Sequence, residues 1–130
     1  MLFTGDIEAA GERALLARVP PAMLTATVLK APHHGSRTSS SIAFIAAVRP
    51  QVAVLSLGYR NRFGFPAPEV VDRYTAAGAR VFRTDRSGAV SVDLNRSPTE
   101  GSAEGSANGA ASRAAEPPVT VRPYNAESGE

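Results

Sequence analysis

Two short apolar, β-branched runs constrain this chain more than any other feature: Thr25–Ala31 and Gln51–Leu57. Each reads as a buried strand, and the stretch between them has a different period. Ser39–Val48 reads as a helix, with Ser39 or Ser40 as its cap. Ile42, Ile45 and Ala46 form its apolar stripe, widened by Phe44 and Val48.

The same alternation extends to both sides. Met1–Thr4 reads as a strand, followed by a helix in which Ile7, Ala10, Ala14 and Leu15 recur at helical spacing and Asp6 is placed to cap. Pro66–Pro68 leads into a further helix with Glu69 in its first turn and Gly78 as its C-terminal stop. Ala79–Thr84 and Ala89–Leu94 read as two strands joined by a hairpin turn at Asp85-Arg86-Ser87-Gly88. The expected architecture is α/β: a mixed sheet with helices on one face and its last two strands antiparallel. Helices on one face leave the other bare, which implies a half-domain that packs on something else.

Composition changes near Asn95. Residues 1–95 hold 11 Lys and Arg against 7 Asp and Glu, whereas residues 96–130 hold 3 against 5. From Arg96 no large apolar side chain occurs before Val119, too little to offset the entropy of ordering the segment. Residues 1–95 are therefore read as the folded part and 96–130 as a disordered tail. Val119–Tyr124 in that tail is read as an extended linker, with a short binding motif as the alternative. Cys is absent, which excludes disulfides, thiolate ligands and a Cys nucleophile. No apolar run reaches the length of a membrane span, so the chain is expected to be a soluble fragment with no span of its own.

The residues that carry chemistry lie at the ends of the apolar runs. Thr4-Gly5-Asp6 follows the first strand and Pro32-His33-His34-Gly35-Ser36 follows the second, with the only two histidines of the chain. Strand ends are where α/β proteins gather ligands. A carboxylate with imidazoles suits Zn²⁺, Mn²⁺ or Fe²⁺. One Asp and two His are nevertheless too few to close a divalent-metal site. Consecutive residues in extended backbone point to opposite sides, so only one of the two histidines is expected to enter a site. Gly35 and Ser36, read as preceding a helix, offer backbone N–H groups and a hydroxyl to a phosphate oxygen. Arg37, Arg60 and Arg62 offer a positive rim for a nucleic-acid backbone, against the plainer reading of scattered surface arginines.

These motifs, with Arg49-Pro50, Ala53–Gly58, Asn61-Arg62-Phe63-Gly64 and Arg83-Thr84-Asp85, resemble in order the C-terminal metallo-β-lactamase-like domain of the ComEC family of DNA-uptake proteins. The resemblance covers about residues 1–95. It implies an αββα sandwich that cuts phosphodiesters with a metal pair, of which this chain is the second half. The His-x-His-x-Asp-His signature of the family and its membrane-embedded portion do not occur in this sequence.

By that resemblance Asp6 is a metal-bridging carboxylate, with the helix cap as its alternative role. His33 is the first choice as the second metal ligand. His34 is assigned to catalysis, orienting a neighbour or contacting the scissile phosphate, together with Asn61. Gly35, Ser36, Arg37 and Arg62 are assigned to substrate. The family's usual Gly-His-Pro is here Gly64-Phe65-Pro66, and an apolar ring neither donates a proton nor binds a metal.

The implied cofactor is a divalent metal, Zn or Mn, in a site this chain does not complete. The implied partners are single-stranded DNA and either the missing N-terminal half-domain or a membrane-embedded channel protein. The implied location is as a domain of a plasma-membrane protein. The expectation is a truncated or split metallo-hydrolase, ancestrally a nuclease of natural transformation and inactive alone. The alternatives are a non-catalytic binding or interaction module, or a relative that hydrolyses a small ester.

Overall fold

A computed structural model describes residues 1–94 and 119–123. Four strands, β1 (Leu2–Phe3), β2 (Val28–Lys30), β3 (Val52–Leu55) and β4 (Arg80–Arg83), form one sheet in the order β1-β2-β3-β4. Every pairing in it is parallel, with Leu29 opposite Leu2 and Ala53, and Val54 opposite Lys30 and Phe82. The crossovers carry α1 (Ala9–Arg18), the short α2 (Pro21–Leu24), α3 (Ile42–Val48) and α4 (Pro68–Ala76). The α/β architecture expected from the two apolar runs is therefore the one observed.

Strand pleating divides the core in two. Leu29, Ala53 and Leu55 face the helices, where they pack with Phe44, Ile45 and Val48 of α3 and Val70 and Tyr74 of α4. Val28, Val52 and Val54 point the other way. The second face is not bare, contrary to expectation. It is covered by a two-stranded antiparallel ribbon, β5 (Val90–Leu94) with β6 (Val119–Pro123), through Val90, Val92, Val119 and Val121.

That ribbon corrects three expectations. The sheet is not mixed, because antiparallel pairing is confined to the separate ribbon. No hairpin joins β4 to β5: Thr84–Ser87 forms a single helical turn, α5, and β5 leaves the sheet. The cause lies in two anchors. Arg83 donates from Nε and Nη2 to both Asp85 oxygens at 3.0 and 2.6 Å, and Thr84 Oγ1 exchanges hydrogen bonds with the backbone of Leu57. Gly88, at φ 67°, then turns the chain into the other layer. Third, Val119–Pro123 is a strand rather than a linker; the remainder of the expected tail lies outside the described residues. A lone Val-Thr-Val run among small residues carries too weak a signal to reveal a strand whose partner is 25 positions away.

The helices differ in detail from their sequence reading. Gly78 does end α4, in a Schellman arrangement: its N–H reaches Thr75 O at 2.9 Å and that of Ala79 reaches Tyr74 O at 3.0 Å. Ser41 caps α3, accepting from Phe44 N at 3.3 Å, because Ser39 and Ser40 are buried and bonded elsewhere. Ile42 and Ala46 face solvent, and Phe44, Ile45 and Val48 form the inward stripe. Asp6 does not cap α1. The helix starts at Ala9, whose N–H is taken by Thr38 O at 2.8 Å, and Glu8 rather than Asp6 occupies the cap position, without a side-chain cap bond. Ala10 and Ala14 are exposed, and the fully buried residue of α1 is Glu12.

Deleting residues 95–130 therefore removes β6 and uncovers Val28, Val52 and Val54. The expected loss is on the order of 3 kcal/mol of unfolding free energy, from apolar area returned to water. Urea unfolding of the truncated chain checks this, and an unchanged midpoint would show that the ribbon does not support the sheet.

Candidate functional site

All four strands of the main sheet run the same way, so the segments after β1, β2 and β3 emerge side by side at one edge. Gly5, at φ 60°, turns the chain after β1, and its carbonyl accepts from His33 N at 3.1 Å. This contact sets Asp6 next to the histidine pair. Asp6, His33 and His34 line one cavity of about 650 Å³ with Ser56, Asn61 and Phe65.

The histidine pair is not in extended backbone. His33 and His34 both occupy the left-handed region, at φ 44° and 55°, within a 3-10 turn at Pro32–Gly35. Two successive non-glycine residues there are costly, and such strain persists only where surrounding contacts enforce it. The consequence is that both imidazoles enter the same cavity, where extended backbone would admit one. His34 Nδ1 lies 2.6 Å from Ser56 O. A carbonyl only accepts, so Nδ1 carries the proton and Nε2 of the neutral ring holds a lone pair. That lone pair faces Asp6, with 3.6 Å between Nε2 and Oδ1. His33 Nδ1 lies 3.2 Å from Glu8 Oε1 without hydrogen-bond geometry and is a buried polar atom lacking a partner. The edge of Phe65 packs on its ring, with centroids 5.8 Å apart at 66°.

The loop that bears the histidines is held from behind. Glu12, fully buried, accepts from Ser40 N and, at 2.9 Å, from Ser41 N. Ser39 Oγ reaches Pro32 O at 2.9 Å and Ser36 O at 3.0 Å, bracketing the pair. Glu8 accepts from Thr38 Oγ1 at 3.1 Å. Ser40 Oγ and Tyr74 OH lie 2.9 Å apart, and Arg73 Nη1 donates to Ser39 O and Ser40 O. Burial first, with the nearby Glu12 carboxylate in support, pushes the Tyr74 hydroxyl up to about 12.

The other residues assigned from sequence divide sharply. Gly35 and Ser36 do not face the cavity and precede no helix; both are buried. Gly35, at φ 79°, is required for packing, since a Cβ there would fall 2.8 Å from both Leu55 Cδ2 and Pro66 Cβ. Ser36 Oγ is engaged with Thr38 Oγ1 at 3.1 Å. Arg37 turns away and pairs with Glu69 at 2.6 Å. Asn61 lines the cavity, but its amide is committed to the backbone of Phe65, donating to O at 2.8 Å and accepting from N at 3.0 Å. Arg62 is exposed at the rim, its guanidinium 5.4 Å from the Phe63 ring centroid. Glu8, Glu12 and Ser56 were missed. The only hint was a Glu among the apolar positions of α1, and a backbone carbonyl such as that of Ser56 leaves no trace in sequence.

These features define an α/β domain with a carboxylate–imidazole pair at the carboxyl edge of a parallel sheet. Comparison with known proteins is more specific. Over 96 residues, 74% of this chain, it is 43% identical to Competence protein ComA of Neisseria gonorrhoeae, matching 14% of that protein. It is 36% identical over 68% of its length to ComE operon protein 3 of Bacillus subtilis, matching 11% of it. It is 39% identical over 72% of its length to Recombination protein 2 of Haemophilus influenzae, again matching 11%. These similarities support a competence-related family, and the chain spans about a seventh or less of these relatives. No family profile and no solved structure matches it. Among the described residues no helix is long and apolar enough to cross a membrane.

The buried hydroxyl gives a pH signature. Tyr74 ionises at higher pH in the folded chain than its ordinary value of 10, so the stability it contributes is intact below pH 10 and lost as pH rises towards about 12. Tyr74→Phe should cost about 1 kcal/mol at neutral pH through the lost Ser40 contact and should flatten the decline between pH 10 and 12. Urea midpoints across that range check it; parallel declines in both proteins would contradict it.

Proposed function

We propose that this chain is part of a metallo-β-lactamase-like hydrolase domain of the competence type, acting on a phosphodiester of DNA. Asp6 and His34 are its contribution to a divalent-cation site. The observation that carries the reading is the approach of His34 Nε2 to Asp6 Oδ1 at 3.6 Å while Nδ1 is held by Ser56 O; in the neutral Nδ1–H ring both facing atoms are acceptors. Two acceptors so opposed repel unless a cation or a proton lies between them. The competence relatives support a DNA-uptake-related role, in keeping with DNA as the ligand proposed here.

The donors fit Zn²⁺ or Mn²⁺ in kind. In number they do not close a shell: among the described residues, no three His, Asp or Glu side chains converge, and a zinc site takes three or four. The remaining ligands must come from elsewhere. When bound, a divalent ion would supply Lewis acidity to a phosphoryl oxygen.

The chain's own groups prepare that position. Ser56 O fixes the tautomer and orientation of His34, the outer-shell role typical of a ligating imidazole. His34 thus takes the ligand role first assigned to His33. His33, set against Glu8 and Phe65, is left to orient substrate or hold a proton. Asn61 acts as a brace of the Gly58–Phe65 loop rather than as a catalytic residue. Phe65 removes proton transfer from its own position. The chain alone is expected to leave DNA uncut.

Mn²⁺ titration followed by paramagnetic broadening of the imidazole resonances tests the cation site without requiring turnover. His34 should broaden before His33, at weak affinity, and Asp6→Ala should abolish the preference. Equal broadening of both rings, or persistence in Asp6→Ala, would overturn the assignment. A tight two-metal stoichiometry would show that the ligand set is larger than Asp6 and His34.

A further inference from the structure

The loop between β3 and α4 exposes what a folded chain usually hides. Tyr59 is 75% exposed and Phe63 66% exposed. Each carries a neighbouring guanidinium near its ring, Arg60 at 5.2 Å from the Tyr59 centroid and Arg62 at 5.4 Å from that of Phe63. Among the described residues neither arginine has a carboxylate within ion-pair distance, whereas Arg37 and Arg83 are both paired.

The loop is not slack. Asn61 N bonds to Gly58 O at 3.2 Å, and the Asn61 amide clamps both backbone groups of Phe65. Phe63 stacks on Phe65 at 5.9 Å and 23°, and Phe65 in turn packs on His33. A row of rings therefore runs from the solvent rim to the histidines, its outer member Phe63 exposed to solvent with the Arg62 guanidinium over the ring.

We propose that Phe63 and Arg62 form a base-stacking subsite at the mouth of the Asp6–His34 cavity, which selects single-stranded over duplex nucleic acid. The inference deepens the function proposed above and rests on it for the class of ligand. A flat, pre-positioned ring stacks any unpaired base and loses little entropy in doing so, whereas bases inside a duplex are already stacked. The unpaired guanidinium serves the adjoining phosphate. Charge sets the direction of the strand. Asp6 and Glu8, both exposed carboxylates on the histidine side, repel phosphate in the absence of a cation, and Arg60 and Arg62 attract it on the loop side. A protein partner is the weaker candidate, because the exposed rings form a narrow row backed by cations rather than a broad apolar face.

The test is fluorescence anisotropy of a labelled oligothymidylate and of a hairpin duplex of equal charge, titrated with the full chain in EDTA. The intact chain should bind the single strand more tightly than the duplex. Phe63→Ala should weaken single-strand binding at least about fivefold and leave duplex binding unchanged, while Phe63→Tyr should retain it. Arg62→Ala should lower the salt dependence of single-strand binding by about 0.7 in log–log slope. Equal affinity of Phe63→Ala and the intact chain, an equal loss on both probes, or no binding of either probe would each overturn the subsite. Because EDTA removes any cation, none of these results bears on the Asp6–His34 assignment, which the Mn²⁺ titration reads separately.

Discussion

The arrangement depends on one buried carboxylate. Glu12 projects from α1 into the interior and accepts the N–H groups of Ser40 and Ser41, at the point where the chain turns into α3. Burying an acid is expensive unless hydrogen bonds replace its water, and two backbone donors at a helix start are a favourable replacement. The interaction joins the element before β2 to the segment after it. It thereby presses the Pro32–Ser41 segment against the helix layer. Ser39 passes the constraint to Pro32 and Ser36, so the left-handed histidines between them are held from both sides.

From that constraint the geometry of the cavity follows in steps. The loop after β2 is fixed by Glu12, Glu8 and the Gly5 carbonyl, and the loop after β3 by Asn61 and by the exchange between Thr84 and Leu57. His34 spans the two, with its Nδ1 on the Ser56 carbonyl and its Nε2 toward Asp6. Such a pair is set by backbone rather than by long flexible side chains, the condition under which a ligand or a reacting group is pre-positioned. The competence relatives share this stretch of sequence, which corresponds to about a seventh or less of their length.

Much of the fold was legible because it rests on local signals. The runs at Thr25–Ala31 and Gln51–Leu57 contain β2 and β3, and Gly78 ends α4 as its position implies. What sequence did not show is what depends on distant partners. The β5–β6 ribbon joins residues 25 or more apart across a polar stretch, so the turn at Asp85–Gly88 invited a hairpin that the Arg83–Asp85 pair and Gly88 redirect. For the site, residue types at strand ends sufficed to single out Asp6 and the histidine pair. Their division of labour did not follow, because two successive left-handed residues defeat the rule that neighbours point apart. Gly35 shows the opposite error: a glycine beside the motif was read as a phosphate cradle, and packing against Leu55 and Pro66 is its reason.

The Ser56 carbonyl sets the tautomer of the neutral His34 ring so that its lone pair is directed to Asp6. The most direct measurement is a long-range ¹H–¹⁵N correlation spectrum of the imidazoles in the metal-free chain, recorded at a pH where the rings are neutral. His34 should carry its proton on Nδ1, with Nε2 showing the shift of an unprotonated nitrogen. A His34 ring protonated on Nε2, or averaging between the two tautomers, would contradict it.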